Sequence, residues 1–295
     1  MRITKVSIVA LLIMQLSSTA NALSLGDVHH EVRTAVSEID VLKAHYSPST
    51  ITRVPGIQVG KTTVHAYVKG LELLEKIKKF QREKNLPQLN VPALPKKKVR
   101  SKHILPLVEL ALTELRKINA TLNLKAKEVK VDTASKTASD LYEKIWQASY
   151  LMDALVESIT PSDVLNATLR VELGLINIAK RMNKTIEFQN LSSVSGKKSV
   201  DVNIALYKLL YKVAELERKL KLKPLVVPAF PAGEILPEDA FDTAGSVIAD
   251  LTRIALKLKK VEPIGKVEQR STISTPNDVY AQVVRLNKAV EFLLK

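Results

Sequence analysis

No cysteine occurs among the 295 residues, which excludes disulfides, c-type haem attachment, cysteine-ligated clusters and thiol catalysis together. Stability must come from packing alone. Aromatic residues make up only 4% of the chain, too few to offer the stacking platforms on which single-stranded nucleic acid is held. Nucleic acid is therefore not an expected partner. After the first residues no stretch reaches 18 uninterrupted apolar positions, so no transmembrane helix is expected in the mature chain. Signatures of catalysis are missing too. Gly60-Lys61-Thr62-Thr63 ends like a phosphate-binding loop, but Pro55 stands where that motif needs its first glycine. The sequence also has no serine nucleophile elbow and no His-x-x-x-His pair. The expected protein is not an enzyme and carries no cofactor.

What is present begins with residues 1–22, where Arg2 and Lys5 precede an apolar run from Val6 to Leu16 and the chain then reaches Ala20-Asn21-Ala22. That order of charged, apolar and small residues is expected of a secretory signal peptide cleaved near Ala22. A cysteine-free exported chain with so short a leader suits a bacterial periplasm or exterior. The formal charge is +15 and falls by two with the leader, leaving a basic surface suited to acidic partners.

The remainder is one unit written twice. Ser24-Leu25-Gly26-Asp27-Val28 returns 136 residues later as Thr160-Pro161-Ser162-Asp163-Val164. Gly60-Lys61-Thr62-Thr63-Val64 returns as Gly196-Lys197-Lys198-Ser199-Val200, and Val91-Pro92-Ala93-Leu94-Pro95 as Val227-Pro228-Ala229-Phe230-Pro231. At an offset of 138, Thr137 to Tyr142 answers Thr275 to Tyr280. Collinear matches of this kind mark a duplication. They divide the chain into a signal peptide at 1–22, copy one at 23–159 and copy two at 160–295.

Each copy holds four segments whose apolar residues recur at steps of three and four, as in Val164, Thr168, Val171, Leu175, Ile178 and Met182. A spacing near 3.5 keeps one seam facing near-parallel neighbours. The expected fold is all-α, a tandem duplication of a four-helix bundle. Four helix starts repeat a hydroxyl followed three residues later by an aspartate: Ser24/Asp27, Thr137/Asp140, Thr160/Asp163 and Thr275/Asp278. The hydroxyl accepts from an orphan N–H and the acid faces the positive helix end. The connections within a copy run about 14–18 residues, long for a compact domain. Up-down topology is the default for such bundles, yet loops of this length can also cross the bundle and make successive helices parallel.

Candidate sites lie where the copies differ. The run Lys96, Lys97, Lys98, Arg100 and Lys102 has no basic counterpart in copy two, and is a candidate for binding anionic lipid or glycan. All five histidines fall in copy one, and His29, His30 and His103 would share one bundle end. They are weak candidates for a metal or haem carrier, weakened because adjacent helical residues point about 100° apart. Tyr142, Trp146 and Tyr280 on the fourth helices are candidates for ligand contact. A tandem bundle resembles in architecture the helical ligand-binding regions of some bacterial chemoreceptors and sensor kinases. That resemblance implies an envelope protein or sensor as a partner. The function expected is a non-enzymatic binding or scaffold role in the envelope, its ligand unknown.

Overall fold

The computed structural model describes residues 23–47, 49–50, 52–95, 97–132, 134–188, 194–258 and 273–295. The leader and Lys96 lie outside the described residues. Among those described, the chain forms eight helices and no strand. Copy one holds α1 (Leu25–Tyr46), α2 (Thr63–Glu83), α3 (Ser101–Thr121) and α4 (Ala138–Asp153). Copy two holds α5 (Pro161–Arg181), α6 (Ser199–Lys219), α7 (Pro237–Leu258) and α8 (Pro276–Leu294). Packing gives two four-helix bundles, α1–α4 and α5–α8, and none of the helices is long and apolar enough to cross a membrane.

The expected caps form. Ser24, Thr137, Thr160 and Thr275 each accept the backbone N–H of the aspartate three residues on, whose carboxylate accepts the cap residue's own N–H. At the other ends, Asn85, Asn123, Asn183 and Lys221 take positive φ of 53–56°. This lets the next residue's N–H return to a carbonyl of the last helical turn, as from Leu86 to Gln81 at 2.7 Å and from Leu222 to Glu217 at 2.8 Å. Asparagine tolerates that conformation better than most side chains.

Of the two topologies the loop lengths leave open, the fold takes the crossover form throughout. In copy one, Ser101 Oγ donates to the Leu23 carbonyl at the starts of α3 and α1, and Asn119 meets Glu38 further along both helices. The Lys61 N–H reaches Ser139 Oγ at the starts of α2 and α4, while Lys76 meets Ser149 further along. Thr63 Oγ1 donates to the Val99 carbonyl beside α3. All four helices therefore run parallel. α1 borders α3 and α4 but not α2, so consecutive helices α1 and α2 sit on a diagonal. A helix of 21 residues is about 32 Å long, and an extended connection of about 15 residues spans that length. The connections are return straps, and their side chains are packing material. Leu89, Val91, Leu94 and Val99 are buried as that strap descends α2, tied by Leu89 N–H to Gln81 and by Tyr67 OH to the Ala93 carbonyl. Copy two repeats the first tie with Leu225 to Glu217, and holds the carbonyl of Ala229 from Tyr207, one turn beyond the position equivalent to Tyr67.

Parallel helices align their dipoles and gather four positive ends at one face of the bundle. Capping aspartates there offset the charge, and so does the second bundle. α2 packs on α7 with residues rising along one as they fall along the other: His65 faces Asp250 and Lys69 faces Asp242, while Arg53 of the strap before α2 reaches Asp239. The bundles thus lie side by side and antiparallel, an arrangement that the short link from α4 (ending at Asp153) to α5 (starting at Pro161) permits.

Candidate functional site between the bundles

Gly60 and Gly196 both adopt φ +70°, which explains why that position repeats as glycine. Each turn places the following lysine identically. The Lys61 N–H donates to Ser139 Oγ and its ammonium lies 5.1 Å from the Tyr142 ring centre; the Lys197 N–H donates to Asn277 Oδ1 and its ammonium lies 4.5 Å from Tyr280. This lysine-over-tyrosine clamp belongs to the repeat unit. A second duplicated contact lies further along, where Lys76 bonds Ser149 and Asp153 and Lys212 bonds Asn287 and Glu291.

The face of α2 toward copy two departs from the repeat. Lys69 and Glu72 stand where α6 has Ala205 and Lys208, Trp146 and Tyr150 where α8 has Val284 and Lys288, and Asp242 where α3 has Pro106. These divergent residues assemble one buried network. Lys69 Nζ donates to Glu72 Oε2 and to Asp242 Oδ1, both at 2.7 Å. Asp242 Oδ2 accepts Trp146 Nε1–H at 2.9 Å and Tyr150 O–H at 3.0 Å. Glu72 Oε1 accepts Ser149 O–H at 2.7 Å. Burial alone would lower Lys69, but Asp242 and Glu72 outweigh it and hold its pKa well above the usual value. Burial raises Glu72, and Lys69 and Lys76 more than reverse that. Burial also raises Asp242, against which Lys69 acts. Every charge is matched by contact, the condition under which buried ions are tolerated.

Beside the network lies a cavity of about 410 Å³. Its floor is the ring ladder Tyr142, Trp146 and Tyr150, one helical turn apart with centres 5.6 and 5.4 Å apart. Tyr207, Thr243 and Ser246 come from copy two, and the strap through Pro55–Gln58 and the strap through Pro228–Ala232 close its sides. Arg53 of the first strap lies 5.5 Å from the Tyr150 ring centre and pairs with Asp239 at 2.7 Å.

Trp146 and Tyr142 thus line the cavity, Trp146 half-buried and Tyr142 buried, whereas Tyr280 sits in the other bundle under Lys197. Lys97, Lys98, Arg100 and Lys102 are exposed around buried Val99. The histidines do not converge on an ion: among the described residues no group of three His, Asp or Glu side chains is placed to hold a metal. His29 is buried, and burial first, then Lys136, Lys144 and Arg33, pull its pKa down to about 4. Those cations would repel a metal dication. His103 Nδ1 is spent accepting the Arg100 N–H.

No protein-family model matches the chain, and neither the curated proteins nor the solved structures contain a significant match.

One arrangement resembles hydrolytic chemistry. Thr62 Oγ1 lies 3.0 Å from His65 Nδ1, and His65 Nε2 lies 3.1 Å from Asp250 Oδ1. The second contact is outside hydrogen-bond alignment, leaving both atoms without such a bond, and His65 is only 1% exposed. Thr62 is the N-cap residue of α2. A base so enclosed and so poorly oriented is better suited to packing the seam than to activating a hydroxyl.

Sequence reasoning reached Tyr142 and Trp146 but missed Lys61, Lys69, Glu72, Tyr150 and Asp242. Position-by-position comparison of the copies carries the signal, because a lysine and a glutamate on α2 replace an alanine and a lysine on α6.

Proposed function

We propose that the chain is an exported, non-enzymatic binding protein of the bacterial envelope whose ligand site is the cavity between its bundles. Export rests on the leader pattern of residues 1–22. The observation that carries binding is the position of the cavity: it opens at the seam, and residues that distinguish the two copies build one wall of it. Its size lies in the range of small-molecule sites, and aromatic walls with a few fixed polar groups are what such sites use. A conformational link from site to partner follows from the same geometry, because a ligand touching α4, α7 and both straps biases the packing of one bundle on the other. An envelope sensor or transporter component is the class of partner suited to read that change.

The test is a thermal-shift screen of small polar metabolites on the full mature chain, repeated on Ala229→Trp. That substitution puts a large ring on the strap that lines the cavity while retaining the carbonyl that Tyr207 uses. The expected result is a ligand that stabilises the natural chain and not the variant. Ligands that stabilise both equally place the site elsewhere.

A second reading, supported by the exposure of Lys97, Lys98, Arg100 and Lys102, is attachment to anionic lipid or glycan. Binding to phosphatidylglycerol vesicles that falls steeply with salt and with charge reversal of these residues supports it. Absence of vesicle binding removes it.

A further inference from the structure

The cavity contains a cation without a partner. Among its charged lining groups, Arg53 is held by Asp239, and Asp242 is filled by Lys69, Trp146 and Tyr150. Lys61 Nζ has no hydrogen bond or ion pair among the described residues; it rests only against the Tyr142 ring. The residue is 9% exposed and lines the cavity. Burial, helped by the nearby charge of Lys69, outweighs the pull of Asp250 and Asp242 and draws its pKa down to about 8. The equivalent lysine of copy two, Lys197, makes the same clamp but is only half-buried. Docking of the second bundle therefore takes a repeated surface lysine and encloses it.

The walls give the rest of the specification. Trp146 Nε1–H, Tyr150 O–H and Tyr207 O–H are all engaged by the protein, so these side chains offer a ligand their ring surfaces. Val54 and Ile57 stand exposed on the strap at the rim. The lining also carries Gln58, Thr243 and Ser246, and Arg53 is neutralised by Asp239; ring faces beside one unpaired ammonium favour a single negative charge on a flat apolar body. Asp239 and Asp242 in the same lining would repel a dianion such as phosphate.

We propose that the cavity binds a small monocarboxylate with a flat apolar body, its carboxylate accepting from Lys61 Nζ and its body lying against Tyr142, Trp146 and Tyr150. The proposal rests on the cavity being the ligand site and names the ligand class. An anion in contact replaces the solvation that Lys61 has lost and stabilises its charged form.

The test is calorimetric titration of the full mature chain with benzoate and 3-phenylpropionate, with their neutral amides and with inorganic phosphate, at pH 7 and pH 9. The carboxylates should bind at least tenfold more tightly than the amides and than phosphate. Their affinity should fall about tenfold between pH 7 and 9, following loss of the Lys61 proton. Tyr142 and Tyr207, pushed up to about 12 by burial, and Tyr150, pushed higher, stay neutral across that interval. Lys61→Met should lose the preference for carboxylate over amide, and Lys61→Arg should keep it. Should Lys61→Met not fold, Lys61→Arg and the pH series on the natural chain decide the matter. Acid and amide binding equally, or a carboxylate preference that survives Lys61→Met, overturns the inference but leaves the cavity as a site. If only amides bind, the ligand class is wrong. If no probe binds, and Ala229→Trp blocks no ligand found in the screen, both readings fall.

Discussion

Lys69 of α2 and Asp242 of α7 meet at 2.7 Å across the seam between the bundles, each less than 10% exposed. Neither is useful alone, since each would be a buried ion without a counter-charge. Lys69→Met should cost about 3–5 kcal/mol. Adding Asp242→Asn should recover part of it, because the amide oxygen still accepts a bond without a charge to bury. Urea unfolding of the single and double variants checks this, and a single-variant loss below about 1 kcal/mol contradicts it.

Lys61 predicts the pH dependence of stability on the alkaline side. Its pKa is about 8 folded against 10.5 in the unfolded reference, so between those values the unfolded chain holds more protons. Stability should rise with pH across that window, and below pH 8 the penalty is fully present at about 3 kcal/mol. Lys61→Met should be more stable than the natural chain at pH 7 by up to that amount, and the gain should shrink toward pH 10.5. Denaturation curves at pH 7, 9 and 10 test the slope.

His29 acts at the acid end. With a folded pKa of about 4 against 6.5, the folded chain again holds fewer protons, here between pH 4 and 6.5. The stability it contributes is complete above pH 6.5 and lost as pH falls toward 4. His29→Gln should reduce the fall in melting temperature between pH 7 and 4.5, compared with the natural chain under the same buffers.

Lys221 occupies, at φ +56°, the helix-ending position that Asn85 fills in copy one at φ +53°. A lysine there is strained by its Cβ in a way asparagine or glycine is not. Lys221→Asn should stabilise copy two by about 0.5–1 kcal/mol and Asn85→Lys should cost a similar amount. Opposite signs in the two urea midpoints are the expected outcome.

Thr160→Ala removes the hydroxyl that accepts the Asp163 N–H and bonds its carboxylate. About 1 kcal/mol should be lost. Thr160→Ser should lose little, since it keeps the cap.

Much of the architecture was legible because it depends on local patterns. The hydroxyl-aspartate pairs, the apolar spacing and the matched segments at 136 and 138 residues all act within one helix or one repeat unit. Tyr142 and Trp146 were reachable for the same reason, as aromatic residues one turn apart on a single helix. For the histidines, grouping by bundle end leaves out what else faces them: His29 meets cations and His103 caps its own helix. Lys69 and Glu72 were invisible as a site, since a charged pair three residues apart reads as a solvated helix surface.

By itself the sequence determined eight amphipathic helices in two equivalent sets, their starting points, and straps long enough to return along a bundle. Short-range forces suffice for that: capping, periodic burial and chain length. Only the tertiary structure decided that every strap does return, making each bundle parallel, and that the bundles lie antiparallel with α2 on α7. Those choices balance helix dipoles and join charges 173 residues apart in the chain, which no local pattern encodes. They also enclose Lys61, whose copy-two twin stays partly in water. Identical backbone turns gave two similar lysines, and burial by a distant helix made them different.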